Sequence, residues 1–352
     1  MREGAATEQV RLAVTLGCPA GIGPEIALLA GLQARARGMV ITLVGDVGVL
    51  QQAARLHGCS EATVVAIAHP EEALSVGEAL AVVAPHGALG TQDMEPGKPS
   101  AASGWAQLAW IDGAVDLVLQ GHADAMVTGP VSKEVIARSG APGAESFVGH
   151  TEHIARRVRA GAPVMTFVAD EIAVSLVTTH LALADVPKAL TVEKVCHAAI
   201  ACAQVLTRLG KQRPRLVVAA LNPHGGEGGL FGSEDRNILA PAVAAARARA
   251  ASLSMPVHIT GPTGAETAFR QAFDGRFDGV VAMYHDQATI PMKLRCFGRA
   301  VNVTAGLPIV RTSVDHGTAY DIAGTGNANA TSMLEAMMLA ERLARSVRRH
   351  GT

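Results

Sequence analysis

At 352 residues the chain exceeds the length that one hydrophobic core usually serves, so we expect two domains or one large α/β unit. Apolar residues make up 49% of it but form no run long enough to span a membrane. A net charge of −1 and an aromatic content of 3% disfavour binding to nucleic acid or to a membrane surface.

The five cysteines are scattered without a CxxC pair, so we expect reduced thiols and no zinc ribbon. The N-terminal segment passes from a polar lead into a strand-like run without a signal peptide's apolar core. We therefore expect a cytoplasmic protein whose partners are small molecules.

Short apolar, β-like runs alternate with alanine-rich helical stretches along the chain. The first are RLAVTL with a helix after Pro24, MVITLVG with VLQQAARLHG, and ATVVAIA. A long helix across 101–120, ADAMVTG, EIAVSLVTTH, a helix from Thr191 to Leu209 closed by Gly210, and RLVVAALNPH follow. The last runs are PVHITGP, FDGVVAMYHD and AVNVTAGLP. This alternation predicts the α/β class with a largely parallel sheet covered on both faces.

Three of these runs finish in a histidine, namely His180, His224 and His285. A single histidine at such a place is usually structural, but three imidazoles at one edge of a sheet suit a divalent metal. Asp286 directly follows His285 and is a candidate for holding that imidazole. A bound metal would lower the pKa of an alcohol, which serves a dehydrogenase or a lyase equally.

Three polar residues beyond the last histidine can bind anions. Lys293 lies eight residues after His285, and Asn302 and Arg311 follow on the next strand and its exit. Together with a metal they can hold a phosphate and a carboxylate, although surface charges are the simpler interpretation. His150 and Thr151 in GHTEH either face a ligand or, for Thr151, cap a helix.

Six loops carry a family resemblance that extends from about Val14 to Ser332. They are GCPAGIGPEI, VTGPVSKEVI, FVGHTEHIA, LNPHGGEGGLFGSED, YHDQATIPMKL and RTSVDHGTAYDIAGTG. In this order they resemble the 4-hydroxythreonine-4-phosphate dehydrogenase family of vitamin B6 biosynthesis. The resemblance implies that the three histidines bind the metal and that five residues bind substrate: His150, Thr151, Lys293, Asn302 and Arg311.

The chain lacks the GxGxxG fingerprint of a dinucleotide-binding turn, since GCPAGIGPE has the wrong spacing. The segment DHGTAYDIAGTGNANAT instead resembles the cofactor loop of the isocitrate and isopropylmalate dehydrogenases. The resemblance implies that this loop binds NAD or NADP, with Gly326 and other glycines allowing close backbone approach. Its predicted cofactor contacts are His316, Gly317, Thr318, Asp321, Gly324 and Asn327.

The same kinship implies two interleaved α/β/α domains with the active cleft between them. We place the first, on the cofactor side, at 1–143 plus 318–352, and the second, with the metal, substrate and dimer contacts, at 144–317. It also implies a homodimer in which each metal site draws ligands from both subunits.

The implied activity is a metal-dependent, NAD(P)-linked oxidation of a phosphorylated 3-hydroxy acid, followed by decarboxylation, in pyridoxal phosphate biosynthesis. The metal is zinc, or cobalt, manganese or magnesium. Asp286, Lys293 or a metal-bound hydroxide are the candidate bases, so Asp286 and Lys293 are the predicted catalytic residues.

Two further substrates fit the same chemistry: D-threonate or D-erythronate 4-phosphate, and an aromatic cis-dihydrodiol dicarboxylate. Cys18 in place of the family's usual acid, GPTGAET in place of GPxPADT, and Ala288 in place of a glycine depart from the biosynthetic pattern. A non-redox lyase or a sugar-phosphate binding protein is a third possibility, which the DHGTAYDIAGTG loop argues against.

Overall fold

The computed structural model describes residues 9–170 and 172–350. The polar lead before Gln9, Glu171 at the start of a predicted strand, and the last two residues of the predicted first domain lie outside the described residues.

Helices and strands alternate through the described residues, which confirms the α/β class. The strands, in chain order, are β1 (Arg11–Thr15), β2 (Val40–Val44), β3 (Val64–Ala66), β4 (Leu80–Val83), β5 (Ala125–Thr128), β6 (Val164–Ala169), β7 (Ile172–Leu176), β8 (Arg215–Ala219), β9 (His258–Thr263), β10 (Gly279–Ala282), β11 (Val301–Ala305) and β12 (Val310–Ser313). The helices are α1 (Gly23–Ala36), α2 (Val47–Leu56), α3 (Ala101–Leu119), α4 (Lys133–Ala137), α5 (His150–Arg157), α6 (Val186–Ala189), α7 (Val192–Arg208), α8 (Ala240–Ser252), α9 (Ala265–Phe273), α10 (His285–Cys296) and α11 (Thr331–His350).

The chain divides into two compact units. One contains the described residues up to Ala160 together with Leu307–Arg348, and the other contains Gly161–Gly306. The sequence prediction placed the two boundaries between the units at 143/144 and 317/318. The difference has a local cause, because α5 is tied to α3 by a 2.7 Å contact between His153 and Asp112, and β12 pairs with β5.

The first unit has a sheet of six parallel strands in the order β3-β4-β2-β1-β5-β12. All five residues of β2 are buried, as expected of a strand covered on both faces. The helix starts are encoded locally: Asp46 caps α2 by accepting the Val49 N–H at 3.0 Å, and Ser100 caps α3. These parallel strands direct all six carboxyl ends to one edge.

The second unit has a mixed sheet in the order β11-β6-β7-β10-β8-β9. The neighbours β7, β10, β8 and β9 run parallel, but β6 is antiparallel to both β11 and β7. The prediction of a largely parallel sheet is confirmed, with β6 as the exception. The chain reverses directly from β6 to β7, beginning with Asp170 in the left-handed region, so the segment leaves no room for a crossover helix.

Helices cover both faces of this second sheet. Phe269 of α9 and Met292 of α10 pack with Val174 and Val280 in one apolar cluster. On the opposite face Cys202 of α7 lies against the Ala173 carbonyl. The predicted helix from Thr191 is confirmed as α7, with Thr191 as its cap.

Within the described residues, no single helix is both long and apolar enough to cross a membrane. One bent pair, Leu183–Ala189 and Val192–Arg208, passes that test jointly across a 95° break.

Candidate active site

Three neighbouring parallel strands of the second unit bring the predicted metal-binding histidines to one edge of the sheet. β7, β10 and β8 lie side by side and end at Leu176, Ala282 and Ala219. None of the histidines is the last residue of its strand. His180 lies in the loop after β7, His224 in a turn after β8, and His285 is the first residue of α10.

His180 and His285 are close neighbours. Their ring centroids are 5.7 Å apart, and the Nδ1 atom of His285 lies 2.7 Å from the Asp286 Oδ1 atom. The predicted role of Asp286 as a partner of this imidazole has the geometry it requires, since a carboxylate on one ring nitrogen orients the other. No cluster of three or more His, Cys, Asp or Glu side chains suited to a metal ion occurs within residues 9–170 and 172–350. The structure thus brings two of the three histidines together.

His224 lies in a tightly wound turn that has its own support. His224 and the four residues after it all have positive φ, and Glu227 at φ 42° is the other non-glycine among them. Asp235 is 2% exposed and accepts the N–H groups of Leu221 at 2.8 Å and Asn222 at 3.1 Å. Sequence reasoning missed Asp235, although the glycines around His224 signalled a turn that needs such an anchor.

Lys293 and Asn302 belong to the second unit. Lys293 is exposed in the last turn of α10, two helical turns from His285. Asn302 lies on β11, opposite Phe167 of β6. Its Oδ1 atom is buried and accepts no hydrogen bond from the described residues. Because buried acceptors normally have a donor, this oxygen is suited to a donor that lies outside the described residues.

Arg311, His150 and Thr151 belong to the first unit. Arg311 on β12 is 2% exposed and donates to the Thr128 Oγ1 atom on β5 at 2.6 Å. Burial lowers the pKa of this guanidinium to about 10, which leaves it charged at neutral pH. The negative charge of Glu152 opposes that shift, so this cation already has an anion near it. Its planar guanidinium has the shape that pairs with a carboxylate or a phosphate.

His150 opens α5, and Gly149 precedes it as the cap, so Thr151 does not cap this helix. Burial holds the pKa of His150 well below its usual value, and the positive charges of Arg311, His153 and Lys133 lower it further. Its Nε2 atom is buried without a hydrogen-bond partner in the described part of the chain. A neutral imidazole can donate or accept a hydrogen bond through its Nε2 atom. The nearby Lys133 was not among the predicted site residues.

The predicted cofactor loop lies in the first unit. Part of its backbone is accessible, and part is tightly packed. Open space surrounds the positions where Gly317 and Gly326 would carry a side chain, whereas Gly324 packs against Pro96. The Nε2 atom of His316 is buried and has no hydrogen-bond partner among the described residues. Asp321 is exposed. The accessible backbone and the buried His316 nitrogen are suited to a cofactor that carries a ribose or a phosphate.

Cys18 and Tyr320 occupy an adjoining position in the first unit. The Cys18 Sγ atom lies 3.4 Å from the Tyr320 hydroxyl. Burial raises the pKa of the Cys18 thiol, and burial together with the Cys18 contact raises the pKa of Tyr320 to about 12. Both groups are therefore neutral at physiological pH, and this position carries no negative charge.

Comparison with known proteins identifies the family. The family model described as "Pyridoxal phosphate biosynthetic protein PdxA" matches residues 38–340. A 4-hydroxythreonine-4-phosphate dehydrogenase of Geobacter metallireducens is 44% identical over 340 residues, which cover 95% of this chain and 96% of the relative. The chain belongs to this family.

Two solved structures of dehydrogenases share the fold. The 4-hydroxythreonine-4-phosphate dehydrogenase of Klebsiella pneumoniae is 37% identical with a TM-score of 0.82, covering 96% of this chain and 100% of that one. A terephthalate 1,2-cis-dihydrodiol dehydrogenase of Burkholderia xenovorans is 30% identical with a TM-score of 0.65, covering 95% and 98%. Membership confirms the resemblance drawn from the loops and the dehydrogenase class, and it implies a nicotinamide cofactor.

Proposed function

We propose that this PdxA-family protein oxidises 4-hydroxythreonine 4-phosphate with NAD or NADP in a divalent-metal-dependent reaction and that the product then loses carbon dioxide. The full-length similarity to 4-hydroxythreonine-4-phosphate dehydrogenases carries the proposal. The reaction would serve pyridoxal phosphate biosynthesis.

The donor set at the sheet edge supports a metal. His180 and His285 are close enough to share an ion, Asp286 orients the second imidazole, and His224 would supply the third ligand. A bound zinc, cobalt, manganese or magnesium ion would lower the pKa of the substrate alcohol. Only the sequence resemblance supports the assignment of His224 to this set.

The chain's own cations and amides would hold the anionic groups of the substrate. Arg311 offers a buried charge with fixed geometry, and His150 offers a neutral imidazole next to it. The family resemblance adds Lys293, Asn302 and Thr151 to the proposed substrate-binding residues. A phosphate and a carboxylate on one small molecule match this set.

The reaction removes a proton from the C3 hydroxyl and a hydride from the same carbon. NAD(P), when bound, accepts the hydride. The proton passes to Asp286 Oδ, or to Lys293 Nζ when that amine is unprotonated, in which case Lys293 does not serve as a cation for the substrate. The resulting 3-oxo acid loses its carboxylate as carbon dioxide and takes up a proton at C2, which leaves 3-amino-2-oxopropyl phosphate.

A substrate panel with each nicotinamide cofactor tests the proposal. We expect turnover to be fastest with 4-hydroxythreonine 4-phosphate, and faster reaction with D-erythronate 4-phosphate would contradict it. His224→Ala should abolish turnover while cofactor affinity stays near that of the wild type. His258→Ala, an exposed histidine of the same unit, is the matched control.

An aromatic cis-dihydrodiol dicarboxylate or a sugar-acid phosphate is the second candidate substrate. The neutral Cys18 and Tyr320 pair favours it, because a carboxylate at Cys18 would be suited to an amine that these substrates lack. Including both classes in the panel decides between them.

We also propose that the protein is a homodimer whose metal sites take ligands from both subunits. Ile290, Leu294 and Phe297 of α10 and its end are 58%, 84% and 82% exposed, at the spacing of one helical face. An apolar stripe on the helix that begins with His285 is suited to a second copy of the chain.

Light scattering after size exclusion tests the dimer. Leu294→Asp should convert it to a monomer with loss of metal-dependent turnover, because a charge would be buried at the interface. Leu253→Asp, at another exposed apolar position of the second unit, should leave the mass unchanged. A monomeric wild type, or a Leu294→Asp dimer, would contradict the proposal.

A further inference from the structure

A buried carboxylate contacts the cofactor loop from behind. Glu25 lies in the first turn of α1 and is 4% exposed. Its Oε1 atom accepts the N–H of Gly324 at 2.9 Å, and its Oε2 atom lies 3.1 Å from the Nε2 atom of His57. Burying a carboxylate this deeply destabilises the fold unless both of its oxygens have hydrogen-bond partners. Gly324 and His57 are those two partners.

The same loop is clamped at Gly324 by steric contact. Gly324 has φ 75°, and a side chain there would come within 2.6 Å of the Pro96 ring. The backbone at this point therefore lies between Pro96 on one side and Glu25 on the other, in a conformation that favours glycine.

A second attachment lies at Thr318. Its carbonyl accepts the Ile22 N–H at 3.0 Å, and Gly21 approaches the same carbonyl so closely that a side chain would lie 2.7 Å from it. The two attachments come from the first turn of α1 and from the segment that leads into it. Gly317 and Gly326, in contrast, face open space. The loop is thus held from one side while part of its backbone stays accessible.

We propose that Glu25 is a positioning residue for the NAD(P)-binding loop. By holding the Gly324 N–H, with His57 fixing its other oxygen, Glu25 keeps the loop in its binding conformation before the cofactor arrives. Cofactor binding then does not have to order the loop, and its affinity is correspondingly higher. The inference rests on the proposed function, because it takes the His316–Asn327 segment as the cofactor site. Glu25 itself need not touch the cofactor.

The test compares Glu25→Ala and Glu25→Gln with wild type and with Glu61→Ala, which removes an exposed carboxylate of the same unit. Three quantities are measured: the Kd of NADH and NADPH by fluorescence, hydrogen exchange of the 316–327 segment, and Tm. The glutamine can still accept the Gly324 N–H through its amide oxygen, so it serves as the conservative variant.

We expect Glu25→Ala to weaken cofactor binding by about ten- to a hundredfold, the equivalent of one charge-assisted hydrogen bond, and to speed exchange at 316–327. Glu25→Gln should recover most of the affinity, and Glu61→Ala should bind like wild type. If Glu25→Ala does not fold, Glu25→Asp replaces it, since the shorter carboxylate keeps its charge but does not reach Gly324.

The outcomes separate this inference from the proposed function. If wild type binds the cofactor and the folded Ala or Asp variant binds equally well with unchanged exchange, Glu25 is not a positioning residue. A loss of Tm with wild-type Kd assigns it a structural role only and overturns the inference as well. If wild type binds neither NADH nor NADPH, the proposed function fails first.

Discussion

Replacing Asp235 with alanine is expected to loosen the turn that carries His224. The carboxylate accepts three hydrogen bonds, from the Leu221 and Asn222 N–H groups and from the Asn222 Nδ2 atom at 3.0 Å. Each is worth about 1.5 kcal/mol with a charged acceptor, so we expect the free energy of local opening to fall by about 4 to 5 kcal/mol. Asp235→Asn keeps one acceptor oxygen and should lose about half as much.

Native-state hydrogen exchange over residues 220–239 measures this effect. A loss of about 4 to 5 kcal/mol corresponds to exchange at least on the order of a thousandfold faster in that segment. Asp274→Ala is the matched control, because Asp274 is 62% exposed and its ion pair with Arg270 contributes little. Equal exchange in the Asp235→Ala and Asp274→Ala variants would refute the assignment of Asp235 as the anchor of the turn.

Two further predictions concern stability. Burial opposes the ionisation of Asp278, but hydrogen bonds from Arg215 outweigh it and hold the pKa of this carboxyl below its usual value. Asp278 therefore stabilises the fold above the usual carboxyl pKa, and its contribution is lost as the pH falls through the lower folded value. The difference in unfolding free energy between wild type and Asp278→Asn should shrink across that window in urea titrations, and a pH-independent difference would contradict this. Glu227→Gly should raise the free energy of unfolding by about 0.5 kcal/mol, because glycine relieves the left-handed backbone at φ 42°. The control Glu266→Gly, within α9, should lower it by about 1 kcal/mol. A lower Tm for Glu227→Gly than for wild type would refute the strain argument.

Local signals predicted individual elements well. The helix from Thr191 to Leu209 has a capping threonine, an apolar periodicity and a following glycine, and α7 reproduces it within one residue at each end. The antiparallel β6 was missed because its direction depends on which strand lies next to it. Strand pairing is a long-range property that a short apolar run does not encode.

The candidate site divides in the same way. The motifs identified His180, His224 and His285 as metal ligands, and the order of β7 and β10 in the sheet makes the first and the last of these neighbours. Asp235 and Glu25 were not predicted, since their partners are main-chain N–H groups, 14 residues away for Asp235 and 299 residues away for Glu25. A backbone donor has no identity in the sequence, so a carboxylate that binds one cannot be recognised until the loops are placed.

The sequence by itself determined the α/β class, the family and the residue types that carry the chemistry, because periodicity, turn glycines and long ordered motifs are local properties of the chain. Only the tertiary structure decided which of those residues meet. It paired His180 with His285, buried Arg311 beside Thr128 and attached the predicted cofactor loop to Glu25. These contacts join residues that are far apart in sequence. Each contact forms only when strand order and helix packing bring its two residues together.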